Sequence, residues 1–190
     1  MARDLFALHG YAGVGMRVVA ERTGLSKSAL FHHFPTKLSL YGAVLCRILE
    51  KLEERSRVDL EDDPMAQLKA WAGGVIDMLA EDRQSAPLLL RALFEEEALE
   101  PADERYGNEL MATCIGRAHE LLRRGMDAGR FHRVPPAQTI QSAIGMIVFH
   151  FASGDFGNGM MGESIFAPEQ VDRRKEHVLL VLEQLLRVDG

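Results

Sequence analysis

The chain has 190 residues, of which 47% are hydrophobic, and its formal net charge is −6 at pH 7. A chain of this length and composition can fill a packed core, and two cysteines among helix-forming residues, Cys46 and Cys114, argue against a disulfide scaffold and against a thiolate metal site. The opening MARDLFALHG lacks a signal-peptide pattern and no later stretch is long and apolar enough for a membrane span. We therefore expect a cytoplasmic protein with no membrane segment, no metal and no cofactor.

The charge is distributed unevenly along the chain. Residues 1–57 contain nine Lys or Arg and five Asp or Glu, a net charge of +4, whereas residues 58–190 contain 13 and 23, a net charge of −10. The basic N-terminal part favours a nucleic-acid partner, and the acidic remainder discourages that partner from binding elsewhere. An uneven solvated surface without any function would give the same distribution.

Apolar residues recur at spacings of three and four throughout, which predicts an all-α protein with about nine helices. A first helix begins near Met1, a second covers 16–23 and ends at Gly24, and a third covers 27–34, between Ser26 as N-cap and Pro35. Thr36 is predicted to cap a long amphipathic helix that ends near Arg55.

The rest of the chain is also predicted to be helical, apart from two loops. Its predicted elements are an acidic link at 59–63, a helix from Pro64, a helix from Pro87, a helix over 110–128 ended by Gly129, an apolar helix over about 136–153, a glycine-rich loop over 155–167 and a last helix from Pro168.

The segment VVAERTGLSKSALFHHFPTK has the spacing of a helix-turn-helix. Two helices joined by a short turn approach most closely beside the turn, which favours a small side chain at Ala20, a glycine at Gly24 and an apolar anchor at Leu30. Because each of these three positions accepts several residue types, unrelated sequences also match the pattern by chance.

A longer stretch, GYAGVGMRVVAERTGLSKSALFHHFPTKLSLYGAV, resembles the N-terminal domain of the TetR family of repressors. The resemblance rests on Gly-Tyr after the first helix, on an aromatic-x-His-Phe motif and on Thr-Lys at the start of the fourth helix. It implies a three-helix DNA-binding domain at 1–44, which we call the head, and an effector-binding and dimerisation domain at 45–190, which we call the body.

The third predicted helix presents candidate groups to double-stranded DNA. If Leu30 and Phe34 point inward, Ser28 and His32 point outward with Ala29 and Phe31 beside them. Lys27 can reach a guanine or a phosphate, His33 and Lys37 suit phosphates, and the resemblance implies that Arg17 contacts the backbone or a flanking base. The predicted DNA-binding residues are Arg17, Lys27, Ser28, Ala29, Phe31, His32, His33 and Lys37.

Other interpretations of these side chains stay open. Phe31 either contacts the groove or packs, and His32 with His33 is either a surface pair without function or a metal site, although neighbours about 100° apart on a helix cannot chelate one ion. The chain also departs from the family, with Phe31 where Tyr is usual and with Val14 and Gly15 where Thr or Ser caps the second helix. These departures, and the absence of a basic arm before the first helix, imply weaker DNA affinity or a chain that lacks its first residues.

The body contains apolar residues suited to an effector cavity, although the same residues also suit an ordinary core. The candidate ligand-binding residues are Trp71, Met78, Leu89, Phe94, Met146, Phe149 and His150. His150 lies in an apolar run, where a satisfied buried histidine is the alternative.

A protein that binds palindromic DNA needs two DNA-binding domains roughly 34 to 36 Å apart, which a homodimer provides. The helices at 136–153 and 169–187 are the predicted homodimer surface. By family resemblance, effector binding tilts the fourth helix and releases the operator.

Two alternative functions remain. One is a ligand-binding or interaction module with a weakened DNA head. The other is an all-helical enzyme using Glu95, Glu96, Glu97, Asp155 or His150, although no nucleophile or metal motif joins these residues.

Overall fold

The computed structural model describes residues 1–58, 63–94 and 99–188, and within these ranges the backbone forms ten α-helices and no strand. The helices are α1 (Ala2–His9), α2 (Met16–Thr23), α3 (Lys27–His33), α4 (Lys37–Arg55), α5 (Pro64–Glu81), α6 (Ser85–Ala92), α7 (Pro101–Asp127), α8 (Pro136–Ala152), α9 (Gly154–Met161) and α10 (Pro168–Leu186). The prediction of an all-α protein is confirmed, with ten helices in the described residues in place of about nine.

The turn between α2 and α3 forms as its residue types require. Gly24 has φ +72°, the left-handed conformation that favours glycine, and Ser26 caps α3 by accepting a hydrogen bond from the Ala29 N–H at 3.1 Å. Ala20 and Leu30 are buried where the two helices meet. α3 ends at His33 and not at Phe34, because a residue that precedes a proline is driven out of the helical region.

Two predicted helix starts in the body were wrong. α6 begins at Ser85, so Pro87 lies within its first turn and not at its start. α7 begins at Pro101, nine residues before the predicted start, and its first turn carries Asp103 and Glu104, which stabilise the positive end of the helix dipole.

The predicted glycine-rich loop at 155–167 is also corrected, because residues 154–161 form α9. Its glycines lower helix propensity and obscure any apolar period, but tertiary contacts compensate. Gly157 is buried close to Ile165, and the Asn158 side chain accepts a hydrogen bond from the Ile165 N–H at 2.9 Å. Local propensity was overridden by packing at this position.

Head and body share one continuous core. α1 packs against α4 and α6, α4 packs against α5 and α7, and α5 packs against α7, α8 and α10. Large side chains such as Trp71, Ile76, Leu121 and Ile147 are almost completely buried at these junctions. α4 therefore begins beside the helix-turn-helix and ends inside the body.

Candidate DNA-binding surface and effector cavity

α3 exposes one polar face to solvent. Lys27, Ser28 and His32 are exposed, Ala29 is half-buried, and Phe31 is 37% exposed, whereas Leu30 on the opposite face is buried. The Lys27 Nζ lies 5.6 Å from the centre of the Phe31 ring, a cation–π distance. The Phe31 ring thus lies at the surface beside a cation and does not fill the core.

Two further predicted DNA contacts flank this face. Arg17 on α2 is 84% exposed, and its only ion pair among the described residues is with Glu21 at 2.9 Å. An exposed pair of this kind is weak, so the guanidinium can exchange it for a phosphate. His33 is exposed, with its ring 5.5 Å from that of His32.

The start of α2 lacks a side-chain cap. Gly15 occupies the N-cap position and no side chain accepts a hydrogen bond there, while Val14 is buried in the core. Val14 is therefore a packing residue, and the first N–H groups of α2 have no side-chain acceptor at the N-cap.

Lys37, which was predicted to hold a phosphate, has an intramolecular role. Its Nζ donates a hydrogen bond to the Tyr11 carbonyl at 2.9 Å and lies 4.1 Å from the centre of the Tyr11 ring. The ammonium group has two further donors, so a phosphate contact remains a prediction.

We expect Lys37→Ala to weaken DNA binding and to lower the slope of log K against log salt by about one. The measurement is a fluorescence anisotropy titration at several salt concentrations, with the exposed body residue changed in Arg133→Ala as the control. A slope equal to that of the unmodified chain would show that Lys37 only ties the α1–α2 connection to α4.

The start of α4 is joined to the body. Thr36 and Ser39 form a capping box, and the Thr36 hydroxyl donates a hydrogen bond to the Glu100 carboxylate at 3.0 Å. A carboxylate at this position competes with a phosphate at the same helix end. The Thr36–Glu100 hydrogen bond therefore joins the start of α4 to the residue that precedes α7.

A cavity of about 340 Å³ lies between α4, α5, α6, α7 and α8. From α4, α5 and α6 the described lining consists mainly of apolar side chains, namely Tyr41, Leu45, Cys46, Leu49, Leu52, Trp71, Val75, Leu79, Leu89, Leu90 and Ala92. From α7 and α8 it includes Glu104, Gly107, Asn108, Met111, Cys114, Ile115, Ile144 and Val148. Its volume is at the small end of the range of ligand pockets.

Of the predicted ligand-binding residues, Trp71 and Leu89 line this cavity. The others lie elsewhere: Met78 is buried beside a separate polar cleft, Phe94 and Phe149 are exposed, Met146 is half-buried and His150 is buried. On α8 the residues that line the cavity are Ile144 and Val148, one turn apart, and helical geometry turns Met146, Phe149 and His150 to other faces.

The contributions of α4 and of the first turns of α7 were missed by sequence reasoning. Residues 101–109 were left outside any helix, so Glu104 and Asn108 were not considered as neighbours on one face. The signal was present in the sequence, since Pro101 followed by Asp103 and Glu104 is typical of a helix start.

His150 is buried between α8 and α10. His150 is 6% exposed, and its Nε2 atom has no hydrogen-bond partner among the described residues. The imidazole ring does form a hydrogen bond with the Ile165 backbone. Burial and the nearby Arg174 guanidinium lower the pKa of His150 below its ordinary value of 6.5. The folded protein therefore favours the neutral imidazole.

We expect His150 to make the free energy of unfolding fall as the pH drops below about 6.5, by up to about 1.4 kcal/mol per pH unit. As the pH falls, the His150 imidazole binds a proton in the unfolded chain before it does so in the folded chain. The loss of stability ends once the pH is below the pKa of His150 in the folded state. Urea unfolding between about pH 7.5 and 5.5 measures it, and His150→Gln should flatten the dependence. The exposed-residue change His119→Gln is the control; an equal flattening in both variants would contradict the assignment.

α8, α9 and α10 expose large apolar side chains on the body. Phe149 is 58% exposed, Phe156 62% and Leu180 51%, and the Phe149 and Phe156 rings meet edge to face with centres 6.5 Å apart. Exposed aromatic clusters of this kind mark interaction surfaces. The predicted dimer helices therefore carry an apolar surface without any contact that would cover it within the described chain.

No helix in residues 1–58, 63–94 or 99–188 combines the length and the apolar character that crossing a membrane requires.

Comparison with known proteins agrees with this architecture. Residues 1–44 match the family model for bacterial regulatory proteins of the tetR family, and residues 64–181 match the tetracyclin repressor-like C-terminal domain. The chain is 31% identical to the HTH-type transcriptional activator FasR of Mycolicibacterium smegmatis over 133 residues, which cover 68% of this chain and 59% of FasR.

Solved structures share the fold. The TetR family regulator PfmR from Thermus thermophilus superposes with a TM-score of 0.74 at 21% identity, covering 100% of this chain and 93% of PfmR. AibR in complex with isovaleryl coenzyme A and operator DNA gives a TM-score of 0.74 at 18% identity, covering 97% of this chain and 93% of AibR. On the evidence of both family models and of this fold, the chain belongs to the TetR family of bacterial regulatory proteins.

Proposed function

We propose that the protein is a cytoplasmic, ligand-responsive transcriptional regulator that binds a palindromic operator as a homodimer and releases it when a small apolar effector binds. The observation that carries the proposal is that α4 lines the cavity with five side chains and begins directly after the exposed DNA-reading helix α3. The relatives support regulation in general; repression, and not the activation after which FasR is named, is the direction we propose.

The contacts between α4 and α7 provide a route from the cavity to the head. A Cβ atom added at Gly42 would overlap the Asp103 carboxylate, and one at Gly107 would lie 3.3 Å from Leu49. The two helices are thus tightly apposed at the same place where both line the cavity. A ligand that separates them must displace the start of α4 and the head attached to it.

An effector shifts the protein only if it binds the released conformation more tightly than the DNA-bound one. Tilting α4 changes the separation of the two heads in a dimer, and a palindrome requires a fixed separation. Small displacements of α4 are therefore sufficient to lower operator affinity.

We place the dimer contact on the apolar surface of α8, α9 and α10. Phe149→Asp is expected to raise the dimer dissociation constant by at least about 30-fold, since a central aromatic anchor is worth about 2 kcal/mol or more. Sedimentation equilibrium checks this, with Leu8→Asp as the control because Leu8 is also an exposed apolar residue but lies in the head. A Phe149→Asp protein that remains as dimeric as the control would place the interface elsewhere.

The deciding experiment is selection of duplexes from a random pool, followed by an electrophoretic shift of the selected duplex across a salt titration. We expect sequence-selective binding, with affinity falling steeply as salt rises. A folded, dimeric protein that selects no duplex even at low salt would contradict the regulator proposal. That outcome would favour a ligand-binding module, which the uncapped start of α2 and the missing hydroxyl at Phe31 make the second candidate.

A further inference from the structure

The described lining of the cavity offers no cationic partner for a negative charge. Among the described residues that line it there is no Lys, Arg or His, and the sequence between Phe94 and Leu99 contains none. The Trp71 indole N–H already donates to the Cys114 carbonyl at 3.2 Å, and burial raises the pKa of the Cys46 thiol, which keeps it uncharged. A carboxylate or phosphate placed inside would lose much of its hydration without a cation to compensate the charge.

The mouth of the cavity is polar and carries a negative charge. Glu104 and Asn108 are exposed, stand one turn apart on the same face of α7, and line both the cavity and the surface groove outside it. Arg105 lines the outer groove but not the cavity. The Glu104 carboxylate only accepts hydrogen bonds, whereas the Asn108 amide both accepts and donates.

We propose that the ligand of this cavity is an apolar molecule whose single polar group donates a hydrogen bond at Glu104 and carries no negative charge. Alcohols and amines share this chemistry, whereas the absence of a cation in the described lining and the Glu104 charge both weaken the binding of carboxylates and phosphate-bearing molecules. The cavity of about 340 Å³ accommodates roughly a dozen non-hydrogen atoms at about 30 Å³ each. This inference rests on the proposed function in taking the cavity as the effector site.

The chain provides its own reporter for a binding experiment that needs no DNA. Trp71 is the single tryptophan of the sequence and lines the cavity, so a ligand that enters must change its fluorescence. Three probes of matched chain length are titrated at about pH 8, where the acid is ionised: decan-1-ol, decylamine and decanoate. We expect decanoate to bind at least about tenfold more weakly than decan-1-ol, and the relative affinity of decylamine shows whether an alcohol or an amine is preferred.

Two variants test the role of Glu104. Glu104→Gln is expected to narrow the gap between decan-1-ol and decanoate by about fivefold to tenfold, the effect of removing one nearby charge at a surface. Glu54→Gln removes the same charge from an exposed position near the far end of α4 that lines neither the cavity nor the groove outside it, and should leave the gap unchanged.

The proposal is overturned if decanoate binds the unmodified chain as tightly as decan-1-ol, or if none of the three probes alters Trp71 fluorescence. Binding of decan-1-ol without release of the selected duplex would contradict the proposed function and would still support the ligand chemistry proposed for the cavity.

Discussion

A protein carrying Ser28→Glu together with His32→Glu is expected to lose at least about 100-fold in affinity for its selected duplex. Both side chains are exposed on the solvent face of α3, so the substitutions leave the buried anchor Leu30 untouched. Each glutamate removes a group that can meet base edges and places a carboxylate among groove acceptors and phosphates, where like charges repel. Anisotropy with the duplex obtained by selection measures the loss.

The control for this variant introduces the same charge elsewhere. Ala112→Glu with His119→Glu adds two carboxylates at exposed positions of α7, away from the start of that helix, which contacts the head end of α4. Both double variants should unfold within a few degrees of the unmodified protein, because surface substitutions away from special features change stability little. Equal DNA affinity in the two double variants would show that α3 does not read DNA.

The helix-turn-helix was predictable because local chemistry determines it. Gly24, Ser26 and Pro35 each act through their own backbone, as a left-handed turn, an N-cap and a helix stop. α9 was not predictable in the same way, since Asn158 and Ile165 stabilise it through a contact seven residues apart. A single-sequence pattern contains no information on such a contact.

The cavity was predicted only in kind. Its apolar character follows from composition, but its position depends on which face of each helix meets its neighbours. Ile144 and Val148 face the cavity while Phe149 faces outward, and the hydropathy of α8 is too uniform to show this phase. The role of Lys37 was missed for a related reason, since its partner Tyr11 lies 26 residues away in the sequence.

A partly buried ionic network joins the far end of α4 to α7. Glu53, near the end of α4, is 9% exposed; it accepts hydrogen bonds from Arg57 at 2.8 Å and from Arg117 of α7. Arg117 also donates to the Glu53 backbone carbonyl at 2.9 Å and to the Ser56 hydroxyl at 3.4 Å. The guanidinium therefore satisfies the Glu53 carbonyl, one of the groups that the end of a helix leaves without an intrahelical partner. The other end of α4 contacts the body at Thr36 and Gly42, so in the mechanism that we propose α4 pivots about this network when an effector enters.

We expect Glu53→Ala to lower the free energy of unfolding by about 2–4 kcal/mol, since removing one partner leaves the Arg117 guanidinium partly buried without its counter-charge. For a chain of this size the loss corresponds to a melting temperature lower by roughly 4–16 °C. The measurement is urea unfolding at about pH 7, followed by thermal unfolding.

The neighbouring residue provides the control, because Glu54 is exposed and Glu54→Ala should change stability by less than about 0.5 kcal/mol. The hydrogen bonds from Arg57 and Arg117 lower the pKa of Glu53 below its ordinary value of 4.5. A lowered folded-state pKa means that the stabilisation is present above about pH 4.5 and is lost as the pH falls through the folded value. The difference between Glu53→Ala and the unmodified chain should therefore shrink in acid; a constant difference would show that packing, and not the charge pair, holds α4 to α7.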